Sequence, residues 1–283
     1  MRWLKRILLA IPAILFGYLA FIYLTLPDVR SLRTENPRTT AFMELRAREA
    51  RLRGQEPKRV QTWVPYRRIS QQLVRAVLVT EDARFWQHAG LDYEQIKESM
   101  EINLERGEFA RGASTITQQL AKNLYLSPSK NPVRKLKELM IARRLEHELP
   151  KARILELYLN VIEWGDGIYG AEAAARTYFK KRASQLTAQE AALLAAAIAN
   201  PRIMNPGNPT ARLRRRQQMV LRRMGAVTPP PVVATAPAGS PEPAEEAAPV
   251  PPVLPGLPGS LPGQAVPPPV SPIKPGGDGA VQK

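Results

Sequence analysis

Residues 111–123, RGASTITQQLAKN, place three hydroxyl side chains, two adjacent amides and a lysine directly behind a glycine. Thr115 and Gln118 have the spacing of a capping box, which predicts that a helix begins after Thr115. A helix N-terminus presents unpaired N–H groups and the positive end of the dipole, and Gly112 permits close approach of an anion. Lys122 follows Gln118 one turn later on the same face. The stretch predicts an anion site, or else an ordinary capped surface helix.

The composition also favours an anionic partner. The chain has 283 residues and a formal net charge of +16, so nucleic acid, acidic lipid and a phosphate-bearing substrate are the candidates. It has no cysteine and two histidines, which excludes disulfides and thiolate metal sites and argues against a histidine-built zinc site. We therefore predict no metal ligand set within the protein.

The segment 7–26, ILLAIPAILFGYLAFIYLTL, is uncharged and long enough to cross the hydrocarbon core of a bilayer. A cleaved signal peptide is the alternative, but its apolar region is shorter and a small-x-small site follows it. Basic residues within 1–6 favour an N-terminus in the cytoplasm. The sequence thus predicts a single-pass inner-membrane protein with its body on the periplasmic side. This placement argues against nucleic acid and makes the arginine-rich stretch 211–224 a solvated or lipid-facing helix.

The remaining chain divides into a stalk or membrane-proximal segment (27–61), a domain (62–225) and a tail (226–283). Ser70, Asn131 before Pro132, and the Thr187–Glu190 box are predicted N-terminal caps, and strand-like alternation is nearly absent, so the domain is predicted to be mainly α. The tail holds 17 of the 28 prolines and few large apolar residues, which predicts disorder.

Two short patterns match unrelated functions by chance. The glycines at 165, 167 and 170 have the spacing of a dinucleotide fingerprint, but the preceding ILELYLN has a helical pattern, so we expect a tight turn between helices. SPSK (127–130) and SPIK (271–274) match the first motif of penicillin-binding serine enzymes, but neither is followed by the S-x-N and K-T-G motifs that complete the set.

Two carboxyl groups lie in opposite environments. Glu138 follows Arg134 and Lys135 in RKLKE (134–138), and this cation cluster suits a diphosphate and favours an ionised Glu138, although a surface ion pair is the alternative. Glu81 and Asp82 end an apolar helix, where the helix dipole and apolar neighbours raise a carboxyl pKa. A base near neutral pH fits that position, whereas a solvent-exposed helix end is the alternative for Asp82.

Five motifs follow one another along the chain: EDARFWQHAGLD (81–92), RGASTITQQLAKN (111–123), RKLKE (134–138), KARILELYLN (151–160) and GDGIYGAEAAARTYF (165–179). Together they resemble the ordered motifs of the biosynthetic peptidoglycan glycosyltransferases, over about residues 62–224. With an N-terminal anchor and no penicillin-binding domain, the chain is similar to the monofunctional members. Lys180 stands where the family usually has a glycine, and IANP (198–201) replaces its usual LPNP.

The resemblance implies a mainly α, lysozyme-like glycosyltransferase domain that polymerises lipid II with inversion and releases undecaprenyl diphosphate. It implies that Glu81 is the general base for the acceptor hydroxyl and that Glu138 is the second essential acid, near the donor. The other implied residues are Lys122, Arg134 and Lys135 around the diphosphate, Ser114, Gln118, Gln119 and Asn123 lining the donor site, and Glu156 and Asn160 in structural positions.

The implied partners are lipid II, the growing glycan strand, membrane lipid and other cell-wall synthesis proteins. No cofactor is required by this scheme, and assistance of the diphosphate by a divalent metal (Mg or Mn) stays open. Two other functions stay open as well: a lysozyme-like lytic transglycosylase and a catalytically inactive cell-wall scaffold. A cleaving enzyme has no diphosphate at its reacting bond, so it has no need for the cations around Glu138.

Overall fold

The computed structural model describes residues 2–106, 114–127 and 131–226. Residues 111–113 of the opening motif and the tail from residue 227 lie outside this part of the chain. Within it the fold is mainly α, as predicted. The helices are α1 (Arg2–Leu24), α2 (Ala41–Leu52), α3 (Gln71–Glu81), α4 (Tyr93–Arg106), α5 (Ile116–Tyr125), α6 (Pro132–Glu148), α7 (Lys151–Val161), α8 (Ala171–Phe179), α9 (Ala188–Ala197) and α10 (Ala211–Ala226).

The predicted caps begin four of these helices. Ser70 accepts a hydrogen bond from a backbone N–H at the start of α3, and Asn131 does the same for α6, where Pro132 is the first helical residue. Thr115 and Thr187 form reciprocal capping boxes at the starts of α5 and α9. These caps satisfy N–H groups that have no partner within the helix, so the capping residues determine where these four helices begin.

The core lies between layers of helices. Helix α9 packs against α3 and α10, and α5 packs against α2, α6 and α7. The inner face of α9 is built from alanine and leucine, and its residues 191–197 are all buried. Alanine side chains are short, so α3 and α10 approach the backbone of α9 closely. This packing holds the C-terminal end of α3 against α9, and the N-terminal half of α5 against α2, α6 and α7.

The glycine-rich segment forms a hairpin, and the predicted turn between helices was wrong. Strand β2 (Glu163–Gly165) pairs antiparallel with β3 (Ile168–Tyr169), and β3 pairs in parallel with β1 (Val60–Gln61). Gly167 turns the hairpin at a φ of +73°, and a Cβ there would lie 2.6 Å from Cβ of Lys58. Strands of two and three residues are too short to show alternation in a sequence.

The N-terminal segments reach the same core. Val29, Leu32 and Met43 are buried in it, and Arg144 on α6 donates hydrogen bonds to the backbone oxygens of residues 26 and 27. Among the described residues, no helix combines the length and the apolar character needed to cross a membrane. The anchor over 7–26 and the domain boundaries therefore stay predictions.

Helix α8 ends in a strained residue. Lys180 has a φ of +58° and a ψ of +31°, the left-handed conformation in which glycine is the usual residue. Its backbone N–H donates to the carbonyl oxygen of Arg176, which closes the helix end. The family usually has a glycine at this position, and glycine adopts this conformation without the strain that the Cβ of Lys180 introduces.

Candidate active site

Glu81 lies at the C-terminal end of α3, partly buried beside α5. Burial raises the pKa of its carboxyl group, and this effect outweighs the opposing hydrogen bond from Gln119 and the charges of Arg216 and Lys122. The direction agrees with the sequence prediction. A carboxyl group with a raised pKa that is still surrounded by donors and cations is suited to accept a proton near neutral pH.

Gln119 bonds to Glu81 and is itself held by a hydrogen bond from Tyr158. Gln119 Nε2 donates to Glu81 Oε2 at 2.8 Å, and the hydroxyl group of Tyr158 donates to Gln119 Oε1 at 3.0 Å. Tyr158 lies on α7 and is fully buried. Three helices therefore contribute one side chain each to a chain of hydrogen bonds that ends on the carboxylate.

Asp82 is not a solvent-exposed helix end, and that alternative was wrong. Its side chain is 1% exposed and accepts hydrogen bonds from His88 Nε2 at 2.9 Å and from the backbone N–H of Ile116 at 3.0 Å. The backbone N–H of Gly90 donates to His88 Nδ1, which leaves Nε2 as the protonated nitrogen of the neutral ring. Asp82 thus joins the end of α3 to the start of α5, where the helix dipole favours a negative charge.

The second carboxyl group, Glu138, lies on α6 and is 3% exposed. It accepts from Arg134 Nη1 and from Lys135 Nζ, each at 2.5 Å. Lys135 Nζ also lies 3.4 Å from Ser114 Oγ and 3.5 Å from Gln118 Oε1. The start of α5 and the first turn of α6 thus meet in one polar cluster. The surface-pair alternative fails for Glu138, because its carboxylate is buried.

The predicted site residues fall into two groups joined by α5. Gln119 and Lys122 act on Glu81, whereas Ser114 and Gln118 contact Lys135 beside Glu138. Asn123 is 8% exposed and donates to the backbone oxygen of Gln119, so it supports α5 from within. Within the described residues the ammonium group of Lys122 has no ion-pair or hydrogen-bond partner, which leaves a partly buried cation near Glu81.

The three side chains of Asp82, His88 and Asp92 have ligand atoms within 4.8 Å of one another. Each is already engaged: Asp82 as described, and Asp92 with the guanidinium group of Arg84 at 2.7 Å and with the backbone N–H of Gln95. The guanidinium group of Arg84 already supplies the positive charge beside Asp92 that a metal ion would supply, so this set of side chains does not fit a divalent metal. The cluster holds the loop between α3 and α4.

The two residues implied as structural hold the segment before α3. Asn160 Oδ1 accepts from the backbone N–H of Val64 at 3.0 Å, and its Nδ2 donates to the oxygen of the same residue at 2.9 Å. Glu156 accepts from the backbone N–H of Tyr66 at 2.8 Å. Helix α7 thus supports the segment 64–66 through Asn160 and Glu156, and Glu81 through Tyr158 and Gln119.

Sequence reasoning missed Tyr158, His88 and Arg216. Tyr158 is 39 residues from Gln119 along the chain, and a tyrosine in an apolar helix carries no local signal of a polar partner. His88 is six residues after Asp82, and this spacing within EDARFWQH was the one usable hint. Arg216 lies in a run of arginines whose members look alike in the sequence.

Comparisons with known proteins agree on one family. The family model described as Transglycosylase matches residues 49–225. A biosynthetic peptidoglycan transglycosylase of Dechloromonas aromatica (strain RCB) is 44% identical over 229 residues, which cover 81% of this chain and 98% of the relative. Proteins of the same name from Laribacter hongkongensis (strain HLHK9) and Azoarcus sp. (strain BH72) are 44% identical over 232 residues and 46% identical over 201 residues, covering 81% and 71% of this chain and 100% and 86% of the relatives.

Proposed function

Because this chain belongs to the transglycosylase family and is a glycosyltransferase of peptidoglycan synthesis, we propose that it elongates β-1,4 glycan strands from lipid II. The observation that carries the proposal is that α5 contacts two chemically different groups. One side of the helix meets a carboxylate with a raised pKa, and its start meets two partly exposed cations that bond to the buried carboxylate of Glu138. The first arrangement suits proton removal, and the second suits a diphosphate.

In the proposed reaction Glu81 accepts the proton of the acceptor 4-hydroxyl group. The hydroxyl oxygen attacks the anomeric carbon of the donor from the face opposite to the diphosphate. The new glycosidic bond forms as the bond between that carbon and the diphosphate oxygen breaks, and undecaprenyl diphosphate leaves with the electron pair. One base on the attacking face and one stabilised leaving group are sufficient for inversion.

Arg134, Lys135 and Lys122 would stabilise the charge that grows on the leaving diphosphate, so no general acid is needed. Glu138 bonds to Arg134 and Lys135 at 2.5 Å, and we propose that it holds these like charges together before the substrate arrives. Ser114 and Gln118, which lie near Lys135, would line the donor site. Assistance by a divalent metal remains an open proposal, and no step here depends on it.

We also propose that the segment 7–26 anchors the chain in the inner membrane with the domain on the periplasmic side. Large apolar side chains on α1 support this placement, since Ile14, Phe16 and Phe21 are each at least 62% exposed. The lipid carrier of the substrate would then remain in the same bilayer. Extraction of cell membranes at alkaline pH tests the proposal, because an anchored chain stays in the pellet.

The decisive experiment measures polymer made from labelled lipid II by the purified full-length protein, alongside release of soluble fragments from preformed peptidoglycan. The wild type should make polymer and release no fragments. Glu81→Gln keeps the shape of the side chain but removes its basicity, so polymerisation should fall by about 10²–10⁴-fold while donor binding survives. Fragment release without polymer would replace the synthetic function by a lytic one, and neither activity would favour the scaffold.

A further inference from the structure

Glu81 is held by a chain of hydrogen bonds that runs through Gln119 to Tyr158. Tyr158 has no role in the proposed reaction as described so far. Within the described residues, the Gln119 amide is the hydrogen-bond partner of Glu81, and it occupies Oε2. The other oxygen, Oε1, is left to receive the proton of the acceptor hydroxyl group. An amide group has two chemically different ends, so the value of this contact depends on which end faces the carboxylate.

The buried hydroxyl group of Tyr158 settles that orientation. A carbonyl oxygen turned toward an ionised Glu81 would place two acceptors opposite each other. The Tyr158 hydroxyl donates to Gln119 Oε1 at 3.0 Å, which holds the carbonyl end away from Glu81 and the NH₂ end toward it. Burial, together with the charges of Glu81 and Asp82, raises the pKa of Tyr158 well above its usual value, so the hydroxyl group stays protonated and can donate.

We propose that Tyr158 is a positioning residue for the reaction, acting through Gln119 to leave one oxygen of Glu81 free for the proton while the other is bonded. This inference rests on the proposed role of Glu81 as the base. It adds a residue from α7, a helix that holds the 64–66 segment through Glu156 and Asn160, to the residues that act on the chemistry.

The proposal makes a specific prediction about pH. The charged and titratable groups that act on Glu81 are Asp82 at the end of α3, Lys122 on α5, Arg216 on α10 and Tyr158 on α7. Tyr158→Phe leaves the other three in place and releases the amide. Glu81 then loses a reliable N–H donor to its ionised form, so its pKa rises further and the acidic limb of the kcat profile moves to higher pH.

We expect a shift of about one pH unit, which is a roughly tenfold loss of kcat at a fixed pH on the acidic limb. The loss should shrink at higher pH, and KM for lipid II should not change. A variant that merely loosened the fold would lose activity by one factor at every pH. Tyr66→Phe is the matched control, since it removes a buried hydroxyl group that has no hydrogen-bond partner in the part of the chain that the structure describes.

A second variant shows whether the effect passes through Gln119. Gln119→Met removes both ends of the amide and should shift the limb in the same direction, and adding Tyr158→Phe to it should change nothing more. The proposal is overturned by an unshifted limb in either single variant, or by additive shifts in the pair. An unshifted Gln119→Met decides the matter even if Tyr158→Phe does not fold. Failure of the wild type to polymerise lipid II would instead overturn the proposed function.

Discussion

Glu81 carries opposing influences on one side chain. Burial disfavours its charge, whereas an amide donor and two cations, Arg216 and Lys122, favour it. The net effect is a raised pKa, so the folded protein binds a proton at this position more tightly than the unfolded chain does. By linkage the ionised side chain lowers stability, and this loss develops as the pH rises from the unfolded toward the folded pKa.

Replacing Glu81 should therefore stabilise the protein while it removes activity. At pH 8 the thermal midpoint of Glu81→Gln should exceed that of the wild type, and the difference should fall to zero as the pH drops below about 4, where the carboxyl group is protonated in both states. Thermal unfolding across this pH range measures the effect. An equal or lower midpoint at pH 8 would contradict the raised pKa.

Glu190 provides the opposite control. Burial raises its pKa, but hydrogen bonds from Lys181 and Thr187 outweigh burial and leave the pKa lowered. A lowered carboxyl pKa contributes stability that is present at neutral pH and is lost as the pH falls. Glu190→Gln should thus destabilise at pH 8 and have no effect at low pH, a trend of the reverse sign.

The diphosphate assignment is tested by replacing Arg134, beside Glu138, and Lys122, nearer to Glu81 on α5. Hydrogen bonds to charged groups contribute about 1.5–3 kcal/mol, so Lys122→Ala and Arg134→Ala should each slow polymerisation by about ten- to a hundredfold. Arg134→Lys should recover only part of the rate, because lysine keeps the charge but lacks the planar fork. Arg143→Ala removes an exposed cation from the same helix and should have little effect.

Polymerisation rates from lipid II measure these variants against the wild type. Full activity of Arg134→Ala would remove this arginine from the donor site. An equal loss in Arg143→Ala would mean that general electrostatic attraction, and not contact with a diphosphate, explains the result.

At the scale of single elements, the sequence predicted what depends on local spacing. The capping box of Thr115 and Gln118 needs four consecutive residues, and the contacts of Glu138 join residues three and four positions apart on one helix. The bond between Asp82 and the N–H of Ile116 spans 34 residues, so nothing near Asp82 in the sequence announces it. The hairpin was missed for a related reason, since its strands are held by cross-strand pairs rather than by their own pattern.

The end of α8 offers a test of local strain. Lys180 adopts the left-handed conformation, which carries a penalty for every residue with a Cβ, and glycine avoids it at the expense of a more flexible unfolded chain. Lys180→Gly should therefore stabilise the protein by about 0.5–1 kcal/mol. A rise of about 1–4 °C in the thermal midpoint is the expected result. Lys180→Ala keeps the Cβ and should bring no such rise.

At the scale of the whole molecule, charge is concentrated on α10. Arg212, Arg214, Arg215, Arg222 and Arg223 are exposed, whereas Leu213, Val220 and Met224 face the core. The sequence predicted a solvated or lipid-facing helix here, and its exposed arginines agree with either. The inner face shows that α10 packs on α3 and α9. Met224 is the last buried residue of the described part of the chain.

The final prediction concerns the tail that follows α10. The composition of 226–283 predicts disorder, so a chain that ends at Gly225 should keep its thermal midpoint and its polymerase activity. A chain that ends at Arg223 also loses Met224, which is 5% exposed, and should have a lower midpoint because apolar contacts in the core are removed. Comparing the two truncations with the full chain, in thermal unfolding and in lipid II polymerisation, separates loss of the tail from damage to α10. A large fall in either measurement for the longer truncation would mean that the tail contributes to the folded domain despite its composition.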